Sequence, residues 1–156
     1  MKHKKVCIID TGSSNLKSLS NMISFMGFSF LVSNKTRDLR NSDYLIIPGV
    51  GAFSSVMTAL ASDTNLESLE KEVKLEGKPT LGICVGMQIM NRTGFENGTC
   101  SGLGWLPGVV TRFKGIPAPH VGFNYVHFSG SIDAYSGDYY FTHSYKVEKL
   151  PENNVL

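Results

Sequence analysis

Cysteine is scarce in this sequence. There are three in 156 residues, Cys7, Cys84 and Cys100, an odd number with no C-x-x-C pair. That argues against a disulfide framework and against a zinc site built on paired thiolates, and no metal or cofactor is implied. Reduced thiols point to a cytoplasmic chain. Excess charge is also lacking: 15 Lys and Arg against 13 Asp and Glu leave a net charge of +2. Phosphate-binding surfaces need clustered basic residues, so neither nucleic acid nor a membrane is expected as a partner. The one dense basic run, Lys2-His3-Lys4-Lys5, reads as a solvated end. No stretch approaches the roughly 18 consecutive apolar residues of a membrane span. The run Val6 to Ile9 is cut short by Asp10 and Gly12, which leaves no apolar core for a secretory signal.

What is present is an ordinary globular composition, with 42% apolar and 18% charged residues. That suits one domain spanning 1–156, without repeats or low-complexity linkers. The first half alternates apolar runs with amphipathic stretches. Val6 to Ile9, Phe28 to Val32, Tyr44 to Ile47 and Thr80 to Ile83 read as buried strands. Leu16, Leu19, Ile23 and Met26 recur at helical spacing, with Ser13 or Ser14 as a cap and Gly27 as the stop. Phe53, Val56, Met57 and Leu60 share one helical face, as do Leu66, Leu69 and Val73. Strands of continuous apolar residues separated by helices imply a doubly wound, mostly parallel α/β sheet. From Gly102 onward Gly, Pro and aromatics increase. Val109 to Phe113, Gly122 to Phe128 and Tyr139 to Val147 read there as short strands in loops and hairpins. Trp105 and Cys7 read as packing residues, and Cys100 as incidental.

The strongest chemical signal is Gly82-Ile83-Cys84-Val85-Gly86, between an apolar strand and a helix-like run, Met87 to Asn91. A nucleophile elbow needs small residues two before and two after the reactive one, because side chains there would collide in the sharp turn. The turn lifts the sulfur above the carboxyl end of the sheet, where open α/β sheets bind ligands. It also places the sulfur at a helix N-terminus, whose partial positive charge favours thiolate. Without those surroundings, a cysteine between two glycines is more simply a small buried hydrophobe.

The elbow extends to Met87-Gln88, and in this form it resembles the nucleophile motif of the class I glutamine amidotransferases. The branch it is most similar to is the glutaminase subunits of imidazole glycerol phosphate synthase. Further blocks fit that branch in order: Asp10-Thr11-Gly12-Ser13-Ser14-Asn15-Leu16, Pro48-Gly49-Val50-Gly51-Ala52-Phe53, Pro119-His120-Val121-Gly122-Phe123-Asn124 and Tyr140-Phe141-Thr142-His143-Ser144-Tyr145. Gly102-Leu103-Gly104-Trp105, leading to Arg112-Phe113, fits as well.

The resemblance implies that Cys84 attacks glutamine to form a thioester. It implies an oxyanion hole made by the loop of Gly49, Val50 and Gly51 together with the N–H of Val85. Gln88 lies one helical turn after Cys84, on the same face. With His143, Ser144 and Tyr145 it is implied to hold the glutamine substrate. Asn15, Pro119, His120, Gly122 and Asn124 are implied to face a (β/α)8-barrel cyclase/synthase subunit, the heterodimer partner that receives ammonia. Each residue also has a simpler reading: a turn at Pro48-Gly49, an exposed helix glutamine at Gln88, a strand histidine at His143, a helix cap at Asn15, a rigid loop at 119–124.

A cysteine amidase also needs a base and a group that orients it. In the family these form a His-Pro-Glu motif near the C-terminus, and no His-x-Glu occurs in this sequence. The matched blocks assign none of His120, His127 and His143 as the base, and His3 lies in the basic tip. Asn153-Asn154-Val155-Leu156 reads like a turn and the start of another strand. The expectation is a C-terminally incomplete domain, inactive as a glutaminase, with an exposed sheet edge and a tendency to self-associate. Two further readings stay open. One is a paralogous subunit supplying ammonia to a nucleotide-sugar amidotransferase of surface-polysaccharide synthesis, favoured by Thr11 in place of an aromatic and Phe123 in place of tryptophan. The other is a catalytically dead module that keeps its partner contacts.

Overall fold

The computed structural model describes residues 4–12 and 15–148. The strands β1 (Lys5–Ile8), β2 (Ser29–Val32), β3 (Tyr44–Ile47) and β4 (Thr80–Gly82) form a four-stranded sheet in the order β2-β1-β3-β4. Every pairing in it is parallel. This is the expected α/β sheet. Its central strands β1 and β3 read as continuous apolar runs because both their faces are covered, while β2 and β4 are more exposed. Val6, Ile8 and Ile46 pack with Ile23 of helix α1 (Leu16–Phe25) on one face. Cys7, Ile9, Leu45 and Ile47 pack with Phe53, Val56 and Leu60 of α3 (Phe53–Asp63) and Leu69 of α4 (Leu66–Glu70) on the other. A short helix α2 (Thr36–Arg40) connects β2 to β3, and α4 runs on into a π-helical turn, Lys71–Leu75.

The expected cap at Ser13 or Ser14 lies outside the described residues. The N-cap of α1 is Asn15, whose side chain accepts the Ser18 N–H at 3.4 Å. Gly27, at φ 81°, ends the helix as the sequence suggests, since a left-handed residue there carries no Cβ penalty. The segment Asn153–Leu156, expected to begin a strand, lies outside the described residues too.

The strands expected over 109–113 and 122–128 run over Leu106–Arg112 and His120–Val126, and two further boundaries differ from the sequence reading. The helix expected over 87–91 is α5, Val85–Ile89, and Asn91 instead opens strand β5 (Asn91–Gly94). The Asn91 Nδ2 donates to the carbonyls of Met87 and Gln88, taking the place of the N–H groups that would have continued the helix. The single strand expected over 139–147 is two, β9 (Gly137–His143) and β10 (Tyr145–Glu148), which break at Ser144 to serve different sheets.

The second half builds those two sheets. One has the order β10-β7-β5-β6, with β6 at Cys100–Ser101 and β7 at Leu106–Arg112. The other is a hairpin of β8 (His120–Val126) against β9, in which His120 faces His143 and Phe123 faces Tyr140. Val110, Trp105, Leu106, Tyr145 and Val147 join the core under α3, so the two halves share one interior.

The α1 face of the first sheet is less covered than the other. Met22, Met26, Leu81 and Ile83 are exposed there and line an apolar groove of about 510 Å3 beside β4. Among the described residues β4 has only one strand neighbour, β3.

Candidate active site

Cys84 sits between β4 and α5 with φ 53° and ψ −116°, one of two positive-φ residues other than glycine in the described chain. Such a backbone is strained for a residue with a Cβ and persists only where its surroundings impose it. Two glycines impose it here. A Cβ on Gly82 would lie 2.6 Å from the Met87 Cα, and one on Gly86 would run into the Ile47 carbonyl. The elbow geometry foreseen from G-x-C-x-G is therefore present, and the Cys84 side chain is exposed. The helix behind it has five residues, so any field at its N-terminus comes from the N–H groups of a single turn.

The loop after β3 is packed against the elbow. A Cβ on Gly49 would meet the Gly86 N at 2.6 Å, and the Thr11 hydroxyl donates to the Pro48 carbonyl at 3.0 Å. Val50 and Gly51 continue that loop into a cleft of about 240 Å3, lined also by Cys84, Val85, Gln88, Pro119, His143, Ser144 and Tyr145. Among the described residues the N–H groups of Val50 and Val85 donate to no protein acceptor.

The structure thus gathers most of the residues the sequence singled out. Gly49 lies just behind the cleft, against Gly86. His120 reaches it through His143, and Gly122 and Asn124 lie further along β8, while Asn15 stands apart as the cap of α1. Gln88, buried, donates its Nε2 to the Tyr145 carbonyl at 3.3 Å, which joins α5 to the start of β10.

One cleft residue escaped the sequence reading, Glu96, and Thr142, named only within its matched block, lines the cleft as well. The Glu96 carboxylate accepts the Phe53 N–H at 2.8 Å, capping the first turn of α3 from 43 positions away in sequence. It is the one carboxylate among the residues lining the cleft. The local signal for it was slight, an acidic residue in the polar loop Phe95 to Thr99.

The cleft's histidine does not stand as a base beside Cys84. His143 Nδ1 lies 3.1 Å from the Tyr145 carbonyl and Nε2 lies 3.1 Å from His120 Nδ1, so both ring nitrogens are taken. Cys7 is fully buried in the core, and its thiol is pushed up to about 11, first by burial and then by the Asp38 charge. It is a packing residue, as read.

Comparison with known proteins agrees with this geometry. The family profile described as glutamine amidotransferase class-I matches residues 7–155. The imidazole glycerol phosphate synthase subunit HisH of Halalkalibacterium halodurans is 39% identical, over 96% of this chain and 74% of that protein. The HisH subunit of Bacillus subtilis is 37% identical, over 96% and 75%. The chloroplastic imidazole glycerol phosphate synthase hisHF of Arabidopsis thaliana is 37% identical over 95% of this chain and 26% of its own length. In fold, the chain is similar to a glutamine amidotransferase crystal structure with TM-score 0.76 and 17% identity, over 94% of this chain and 75% of that one. A glutamine amidotransferase from Thermotoga maritima gives 0.62 and 15%, over 96% and 64%. The elbow, the cleft and these matches together establish that the chain belongs to the class I glutamine amidotransferases, in the group of imidazole glycerol phosphate synthase HisH subunits.

Proposed function

We infer that the chain is the glutamine-binding, ammonia-producing subunit of an imidazole glycerol phosphate synthase, acting in histidine biosynthesis. The observation that carries this is the placement of Cys84. A strained elbow presents its sulfur in the same cleft as the 49–51 loop and the 143–145 segment.

In the chemistry proposed, the Cys84 thiolate adds to the side-chain carboxamide carbon of glutamine. The oxyanion that forms is met by the free N–H groups of Val50 and Val85. The C–N bond breaks, the amine leaves as ammonia with the proton that the Cys84 thiol gave up, carried by solvent, and a thioester remains. Water then cleaves the thioester, releasing glutamate and restoring the thiol. Glu96 supplies the negative charge that an α-ammonium group needs in a small cleft. With Gln88 Nε2 committed to the Tyr145 carbonyl, its Oε1 is left to accept from the ligand.

The partner in this reading is a (β/α)8-barrel cyclase/synthase subunit. Support for a docking face comes from the β8–β9 hairpin. Val121, Phe123, Tyr125 and Tyr140 are exposed on one side of it, Phe123 to 72%. Exposed aromatics grouped in this way mark a protein-binding surface more often than plain solvent contact. The names of the relatives favour the histidine-pathway partner over a polysaccharide-pathway one.

The test is covalent. A diazoketone analogue of glutamine should label Cys84, glutamine should protect it, and asparagine, one methylene shorter, should not. Labelling that glutamine leaves unchanged would overturn the glutamine reading. A barrel synthase that fails to co-migrate with the chain, yet does so with a HisH relative, would overturn the partner reading.

A further inference from the structure

His143 lines the Cys84 cleft, and its two hydrogen bonds determine where its proton sits. Its Nδ1 is 3.1 Å from the Tyr145 carbonyl, which can only accept, so Nδ1 carries hydrogen. In the neutral ring Nε2 then holds a lone pair. The atom 3.1 Å from it, His120 Nδ1, must be the donor. Both rings are therefore Nδ1–H tautomers, with His120 Nε2 as the open end. Aromatic rings hold the pair in place. Phe113 meets His143 edge-on at 4.9 Å and His120 at 6.2 Å, and Phe141 stacks on His143 at 5.4 Å.

The same Tyr145 carbonyl accepts from Gln88 Nε2 at 3.3 Å. A single hydrogen-bonded chain thus runs from His120 on β8, through His143 on β9 and the Tyr145 carbonyl on β10, to Gln88 on the helix that Cys84 caps. Reversing the His120–His143 bond would require His143 to carry hydrogen on both nitrogens, a charged ring. The Tyr145 carbonyl thus sets the tautomer of His143, the lone pair left on His143 Nε2 sets that of His120, and the two bonds together hold the His143 ring from both ends.

We propose that His120 is a positioning residue: by donating from Nδ1 to His143 Nε2 it anchors the far end of that ring, keeps its Nδ1–H on the Tyr145 carbonyl, and so holds the Tyr145 carbonyl and the Gln88 amide in their cleft-facing orientation. Its effect on ligand binding rests on the glutamine reading above; its effect on the tautomer does not.

The experiment uses the 156-residue chain with 15N-labelled imidazoles, at a pH where both rings are neutral, together with labelling by the diazoketone glutamine analogue. Wild type should show His143 as the Nδ1–H tautomer. His120→Asn keeps an N–H donor near the Nδ1 position and should keep that tautomer. His120→Phe keeps the ring but removes the donor, so the His143 ring is held at one end only, can leave the Tyr145 carbonyl, and should show the Nε2–H tautomer in part. Dispersion of the backbone amide signals verifies folding in each variant. For the analogue, His120→Phe should raise the half-saturating concentration about tenfold, in line with loss of a partly buried hydrogen-bond chain, while the maximal labelling rate stays within about twofold. His120→Asn should stay within about twofold in both. An unchanged His143 tautomer in His120→Phe, or equal weakening in both variants, would overturn the proposal. If no chain labels at all but the tautomer still shifts in His120→Phe, the positioning role stands and the glutamine reading falls.

Discussion

A Cβ on Gly86 would occupy the space of the Ile47 carbonyl, the group that accepts the Ile83 N–H at 3.0 Å. The carbonyl is held in that bond and cannot swing aside, so the end of β3 and the start of α5 approach as bare backbone. The elbow is thus enforced from two directions, by Gly86 against β3 and by Gly82 against Met87.

Gly86→Ala should therefore destabilise the fold by about 1–3 kcal/mol, the range for forcing atoms into filled space. Urea unfolding measures it. Gly137→Ala is the control, since a Cβ there meets nothing within 4 Å; it should change stability by no more than about 1 kcal/mol. Equal losses in the two variants would show that the contact with Ile47 relaxes freely.

Alkaline stability should report the burial of Cys7. Its folded pKa is about 11 against a model-peptide 9.0, raised chiefly by burial. Between those values the folded state holds a proton that the unfolded state has lost, so unfolding becomes easier as pH rises. The contribution is full below pH 9 and lost on passing through 11, roughly 2–3 kcal/mol in all. The stability difference between wild type and Cys7→Ala should shift by that amount over this window. A difference that is flat with pH would mean the thiol ionises as easily folded as unfolded.

The groove beside β4 should make the chain adhesive. Leu81 is 55% exposed within a strand, and Met22 and Met26 face the same space from α1. Apolar surface next to a sheet edge favours self-association. Leu81→Lys should reduce both dye binding to exposed apolar surface and the sedimenting oligomer. Its effect on unfolding free energy should be within about 1 kcal/mol, because the side chain is already half in water. A monodisperse, dye-silent wild type would contradict this.

How much of this was legible in sequence depends on how local each constraint is. Tyr44–Ile47 was read to the residue because a fully buried parallel strand carries its own signal. The elbow was legible because its steric demand lies within five residues. By contrast β5 is Asn-Arg-Thr-Gly, with no apolar alternation, and becomes a strand through its pairing with β7 and the cap made by Asn91. Helix α2 has one buried residue, Leu39, too few for a periodic signal. Glu96 enters the cleft by capping a helix 43 positions earlier, and the His120–His143 pair exists only through the β8–β9 register. Relations of this kind are set by tertiary structure, which a local pattern does not encode.

The last prediction concerns proton transfer. Among the described residues, the cleft's histidine has both nitrogens occupied, and its carboxylate caps α3. The exposed His127 does not line the cleft. Cys84 is thus presented for attack with no group among the described residues of the cleft free to take its proton. General-base catalysis contributes typically about 10²–10⁴-fold. Ammonia release from glutamine by the 156-residue chain should fall short of an ordinary turnover of about 10 s⁻¹ by at least that factor. Added imidazole, a base small enough to enter the cleft, should raise the rate in proportion to its concentration, and Cys84→Ala should abolish the increment. Full-rate ammonia release without imidazole, lost in Cys84→Ala, would mean that a residue of this chain does act as the base. His143→Gln would then be the first variant to make, since breaking its bonds to His120 and Tyr145 is the shortest route to a free imidazole nitrogen at the sulfur.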